Sequence, residues 1–356
     1  MIQINPLTLK KLRRFRSIKR GFWSFIILLC LYGFSLAGEL FVNKRALLVS
    51  YEGNFYFPTY GDQIRGKHFG LDYDYETDYR TLKKKFEQEN LGNWVIMPVI
   101  PYDPYEMDYS KDESTGFSPP SWETRHFCGT DKTERDVFAR LLYGFRIAMT
   151  FSLGYLLLTY LIAMAAGSVM GYFGGKTDML GLRLVEIWAN VPFLYMVIIL
   201  VSVMPGWWGV GWQVSSLLFI MVLFSWTGMT YYIRAAVYKE KARDYVSAAK
   251  VIGAGPLRII FRHLLPNVIS TLVTFAPFTI AAAISSITAL DFLGYGLPPP
   301  TPSWGELLKQ AVGNLKTAPW IVISTVSALV LTLTLVTFVG EAVREAFDPK
   351  KFSTYE

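Results

Sequence analysis

The stretch that decides the fold is DYVSAAKVIGAGPLRIIFRHLLPNV, residues 244–268. It carries Lys250, Arg258 and Arg262, and it is broken by Gly253, Gly255, Pro256 and Pro266. Long apolar runs flank it. Residues 187–233 upstream and 268–290 downstream contain no Asp, Glu, Lys or Arg. A basic, helix-breaking segment between two such runs reads as a loop at a membrane surface.

The composition agrees. Of 356 residues, 52% are hydrophobic and 18% are charged. Globular chains average about 25% charged residues. The class is an integral membrane protein. The net charge of +7 does not indicate nucleic-acid binding, because the basic residues sit beside apolar runs and form no soluble basic face. Cys30 lies in an apolar run and Cys128 in a polar region, so no disulfide is expected. His68, His126 and His263 are scattered, fit no metal-ligand spacing, and read as ordinary surface or interface residues.

Six runs approach the ~20 residues that cross a bilayer. They are residues 22–38, 147–173, 187–204, 214–233, 268–290 and 320–340. The third and fourth divide at Pro205-Gly206-Trp207-Trp208-Gly209, and Pro277 marks a kink in the fifth. Lys10, Lys11, Arg13, Arg14, Arg16, Lys19 and Arg20 precede the first run. Ser35-Leu36-Ala37 mimics a signal cleavage site, but an uncleaved anchor with a cytoplasmic basic end is preferred. Alternation then places residues 174–186, the loop and the C-terminus inside as well, as the positive-inside rule asks.

The expected fold is therefore an all-α integral membrane protein of six transmembrane helices. An outside insert of roughly 95 residues separates the first helix from the second. In that insert, Tyr79, Leu82 and Phe86 share a helical face ending near Leu91-Gly92, and residues 94–100 read as a buried strand. Its many aromatics suit either a compact core or a surface that meets a partner or substrate. The expected divisions are a basic N-terminus 1–21, a first helix 22–42, the insert 43–140, a five-helix domain 141–349 with its loop at 237–267, and a tail 350–356.

Buried ionisable residues in a span usually mark function. Here Glu39, Glu186, Asp291 and Glu341 stand at span ends, within expected reach of water. No relay of carboxylates runs through the spans. This argues against a proton-coupled carrier, while an ion-coupled secondary transporter or channel using backbone carbonyls remains the alternative function. Ala163, Gly167 and Gly171 recur every fourth residue and predict close helix packing, either static or as a sliding seam.

Two motifs fail. Gly174-Gly175-Lys176-Thr177 resembles the end of a phosphate loop, but Met170 stands where the first glycine belongs. Gly253-Ala254-Gly255 would need a third glycine where Arg258 stands. No catalytic residues, resident cofactor or metal site are expected. The chain reads as a non-enzyme.

Within the loop, Tyr245, Ala248, Ala249 and Ile252 recur at helical spacing until Gly253 and Gly255-Pro256 end the helix. Small Ala248 and Ala249 would admit another protein's surface. A second helical run passes Ile259, Ile260 and His263 before Leu265-Pro266 redirects the chain. By itself this pattern also fits an amphipathic helix lying on the membrane.

Ala248-Ala249, Gly253, Ile259-Ile260 and Leu265-Pro266 resemble the E-A-A…G…I-x-L-P loop of ABC importer permeases. Residues 126–153, 171–194 and 289–308 resemble the dipeptide/oligopeptide (OppC/DppC-type) branch, and the Tyr/Asp-rich insert is most similar to Yej-type permeases of peptide and microcin C uptake. Two positions depart from the pattern. Ser247 replaces the usual loop Glu, and Glu134 replaces the second glycine of G-T-D-x-x-G-R-D. The resemblance implies a pore-forming subunit in the bacterial inner membrane. It would pair with a second permease and dock a cytoplasmic ATPase, which holds the ATP and Mg. A periplasmic binding protein would deliver peptides to it. The docking residues so implied are Tyr245, Ala248, Ala249, Ile252, Gly253, Ile260, Leu265 and Pro266.

Overall fold

The structure, a computed structural model, describes residues 6–108 and 116–347. The expected tail 350–356 and the start of the basic N-terminus lie outside these residues.

The chain opens with α1 (Pro6–Ser17) and α2 (Lys19–Leu36). The first apolar run ends at Leu36, short of residue 42. There the chain turns, and Glu39 meets Arg146 at 2.8 Å. The insert follows, and it departs from an all-α fold. Strands β1 (Leu48–Tyr51), β2 (Asn54–Tyr56) and β3 (Trp94–Ile96) form an antiparallel sheet in the order β2-β1-β3. These short segments place Val49 and Val95 on one sheet face by period-two alternation. α3 (Tyr79–Glu89) covers that face, with Tyr79, Leu82 and Phe86 buried against Val49, Val95 and Phe69. Asp78 caps its first turn and accepts from the Arg80 amide at 3.0 Å. The helix ends on Asn90, at φ 54, ahead of the expected stop.

α4 (Val137–Phe173) begins well before residue 147, because Asp136 caps it by accepting from the Ala139 amide at 2.7 Å. At 1.5 Å per residue it is about 55 Å long. The third expected span is a bent pair: α5 (Gly175–Ala189) and α6 (Phe193–Ser202) meet at 69°. Residues expected to form an inside loop at 174–186 are helical, held by an ion pair between Asp178 and Arg234. The break falls at Pro192, which has no amide to continue the ladder. α7 (Val210–Lys241) and α8 (Asp244–Val251) follow.

Leu265-Pro266 does not redirect the chain. α9 (Pro256–Ile259), a π turn at Ile260–Leu264, and α10 (Leu265–Leu293) run on as one helix. The Leu265 amide donates to the Ile260 carbonyl, and this wide turn precedes the proline that cannot donate. α10 passes through Pro277 without a break in the helix. α11 (Trp304–Gly313), which hydropathy did not predict, precedes α12 (Pro319–Phe347). Among the described residues, five helices are long and apolar enough to cross a membrane, or six if the bent pair is one span.

Gly167 and Gly171 form the contact between α4 and α7 within the one chain, and Ala163 one turn away is fully buried. A Cβ on Gly167 would lie 2.8 Å from Ile233 Cβ, and one on Gly171 would lie 2.8 Å from the Arg234 carbonyl. Only glycine permits that approach. α2 packs on α12, with Gly21 against Ala342. The start of α2, the end of α12 and the α7–α10 loop lie at one end. The insert and α11 lie at the other, a helix length away.

Candidate functional site

The segment after α7 is built on a buried row. Val246 and Ala249 of α8 pack with Ile233 and Val237 of α7, and with Ile259, Ile260 and Leu264 beyond the bend. Tyr160 and Tyr172 of α4 complete this cluster. The loop is thus seated on α4, α7 and the start of α10, and does not hang free.

The bend is fixed by backbone geometry. Gly253 has φ 83, in the left-handed region that L side chains rarely adopt. Its amide donates to the Lys250 carbonyl at 3.0 Å, and the Ala254 amide donates to the Ala249 carbonyl at 3.0 Å. This double closure ends α8 and aims Pro256 into the first turn of α9. Tyr245 ties the loop's base. Its hydroxyl donates to Glu240 Oε2 at 2.8 Å and accepts from Asn267 Nδ2 at 3.1 Å.

The outer face of the same loop is apolar and uncovered. Val251 is 88% exposed, Ile252 84%, Leu257 71% and Phe261 67%. Lys250, Arg258 and Arg262 surround them and are exposed. An apolar patch rimmed by charge marks a protein or membrane contact.

The residues expected to dock divide between the two faces. Ala249 and Ile260 are buried, and Leu265 is half-buried against the same cluster. Ala249 therefore seats the loop, while its neighbour Ala248 faces outward. Ile252, Gly253 and Pro266 are exposed, and Tyr245 is half-buried. Val251, Leu257 and Phe261 were missed. The signal was present in the spacing of Leu257 and Phe261, which lie one helical turn apart in a basic segment.

The false phosphate loop is a helix junction. Gly174 and Gly175, at φ 66 and 54, turn α4 into α5.

At the opposite end, charged residues of the 126–153 and 289–308 stretches join in a buried network. Arg135 donates to Asp131 Oδ2 at 2.9 Å and to Glu306 Oε1 at 2.9 Å. Arg140, fully buried, pairs with Glu306 and donates to the Pro104 carbonyl at 3.1 Å. Burial alone would raise the Asp131 carboxyl, but the Arg135 and Arg140 guanidinium groups hold it below its usual value. Glu134 has φ 59, so this turn requires the conformation that a glycine would supply.

His126 is not a surface residue. It is 3% exposed and stacks on Tyr102 with ring centroids 3.9 Å apart. Its Nδ1 lies 2.7 Å from Asp136 Oδ2 and its Nε2 lies 3.2 Å from Asp108 Oδ2. Burial works to lower its pKa, but the two carboxylates together raise it above the ordinary value. Asp136 thus both caps α4 and grips His126.

Asp291 is not in water either. It is 8% exposed, and its carboxylate accepts from the Leu297 amide at 2.6 Å, closing the turn after α10.

Known proteins resemble the chain along its length. The family described as binding-protein-dependent transport system inner membrane component matches residues 163–353. The inner membrane ABC transporter permease protein YejE of Escherichia coli (strain K12) is 39% identical over 352 residues, covering 99% of each chain. The peptidoglycan transport system permease protein YejE of Agrobacterium fabrum is 37% identical, covering 98% of this chain and 94% of that one. The oligopeptide transport system permease protein OppC of Haemophilus influenzae is 34% identical over 65% of this chain and 72% of its own. This chain belongs to the family of binding-protein-dependent transport system inner membrane components, the ABC transporter permeases.

Proposed function

We propose that this chain is a pore-forming, non-catalytic permease subunit of an ATP-driven importer that moves peptides from periplasm to cytoplasm. Peptide conjugates of the microcin C kind belong to its substrate range. ATP and Mg act on a partner ATPase. A second, homologous permease completes the pore, and a periplasmic peptide-binding protein delivers substrate. The single observation that carries this reading is the uncovered apolar tip of Val251, Ile252, Leu257 and Phe261 on a loop that is otherwise tightly seated.

The bent pair α5–α6 is one span, which makes six. The loop, the basic N-terminus and the end of α12 share one side, and the positive-inside rule makes that side the cytoplasm. The insert between α2 and α4 is then periplasmic, and the coupling loop between α7 and α10 is cytoplasmic. Movement of the docked ATPase would reach α7 and α10 through the buried row at Val246, Ala249 and Ile260. Relatives named for oligopeptide and peptidoglycan transport support a peptide-containing substrate.

Purification in a mild detergent, with mass spectrometry of the co-purifying proteins, tests this. An ATPase and a second permease are expected in stoichiometric amounts. Recovery of the chain alone from native membranes, with wild-type transport intact, would contradict it.

A further inference from the structure

A cavity of about 630 Å³ lies among α1, α2, α4, α10 and α12. Nothing in the transport reading uses it. Its walls are apolar, including Phe22, Leu28, Met149, Val273, Pro277 and Val336. Among the described residues, Arg16 is its one charged lining residue. Along α2 the lining runs from Phe22 to Tyr32, a rise of about 15 Å. That is about half of the ~30 Å hydrocarbon core, or one leaflet. The cavity is open on one side, where Leu12 is 52% exposed and Leu29 56%.

The mouth is basic. α1 lies across it and carries Lys10, Lys11, Arg13, Arg14 and Arg16, with Lys19 and Arg20 opening α2. Two of these cations are answered from α12: Arg14 lies 4.0 Å from Glu345 and Arg20 lies 2.8 Å from Glu341. Lys11 stands over the Phe347 ring. Arg13 and Lys19 are exposed and have no carboxylate partner among the described residues, and the same holds for Arg16. Arg16 stands over the Phe22 ring, 6.0 Å from its centroid. An apolar slot one leaflet deep, with cations that meet no carboxylate at the headgroup end, matches the two halves of an anionic phospholipid.

We propose that this cavity holds one anionic phospholipid. An acyl chain would fill the slot between α2 and α10, and its phosphodiester would meet Arg16, Arg13 and Lys19. Arginine suits that role because its planar guanidinium gives paired hydrogen bonds to phosphate oxygens. The lipid would add to the direct packing of α2 on α12, where Leu28 meets Leu335, Val336 and Val339 and Gly21 meets Ala342.

The test is native mass spectrometry of the full chain after reconstitution in vesicles of equal phosphatidylglycerol and phosphatidylethanolamine, followed by extended detergent washing. One phosphatidylglycerol per chain should survive, enriched about tenfold over phosphatidylethanolamine. Ala276 of α10 also lines the slot, and Ala276→Phe, which fills it, should remove both lipids. Arg13→Gln with Arg16→Gln should keep a lipid but abolish the headgroup preference. Equal retention of the two lipids by the wild type would overturn the proposal, and that reading needs no variant. Undiminished lipid in Ala276→Phe would also overturn it. So would efficient cross-linking of Leu29→Cys to a co-purifying subunit, which would make the cavity a protein interface.

Discussion

The Ala254 amide donates to the Ala249 carbonyl across Gly253, joining the buried row of the loop to its exposed tip. Ala249 is 3% exposed and Ile252, three residues on, is 84% exposed. The turn therefore sets which side chains face the chain's own spans and which face outward.

Gly253 is constrained by its φ and not by crowding, since a Cβ added there would meet nothing within 4 Å. Gly253→Val should cost about 1–2 kcal/mol of loop strain, and Gly253→Asn less, because Asn tolerates the left-handed region. Both should insert normally. Peptide uptake should fall in the order Gly, Asn, Val. Equal uptake by all three would show that the bend is not needed.

Residues of the two faces should differ in kind when mutated. Leu257→Asp and Phe261→Asp place charge where water already reaches, so melting should move little. Co-purification with the ATPase should be lost. Ile260→Asp buries a charge with no partner and should destabilise the loop by about 3 kcal/mol or more. Limited proteolysis between α7 and α10 separates these outcomes.

Glu306 neutralises both Arg135 and Arg140. Glu306→Gln would leave the buried Arg140 with less counter-charge and should cost about 3 kcal/mol. Glu306→Gln combined with Arg140→Met should recover part of that loss. A double-mutant cycle in thermal unfolding gives the coupling, and additive effects would deny the network.

His126 predicts a pH dependence. Its folded pKa lies above the ordinary histidine value of 6.5, so its stabilising contribution is fully present below about pH 6.5. That contribution declines as pH rises through the folded value. Melting temperature should therefore drop on the alkaline side, and His126→Gln should flatten that drop while lowering stability at acid pH. An unchanged alkaline slope in the variant would exclude His126 as its source.

Local signals were legible in the sequence. Hydropathy located the long apolar helices, the spacing of Tyr79, Leu82 and Phe86 gave the buried face of α3, and Gly253 with Gly255-Pro256 gave the bend. Glu134 departs from the glycine pattern, yet it keeps the left-handed backbone that a glycine there would supply. What was hidden depends on distant pairing. Arg140 and Glu306 are 166 positions apart, and no spacing rule joins them. The charges of α5 mask a helix that Arg234, 56 positions away, holds through Asp178. The outward facing of Leu257 and Phe261 depends on the helical phase after the bend, which the backbone at Gly253 and Gly255 sets.

The most direct test is ATP-dependent uptake of a labelled peptide into proteoliposomes holding this chain, its partner permease, the ATPase and the binding protein. Wild type should accumulate peptide only with ATP, and the Leu257→Asp, Phe261→Asp double variant should accumulate none although fully inserted. Uptake by this chain alone on an imposed ion gradient, or normal uptake by the double variant, would contradict ATP coupling through the loop.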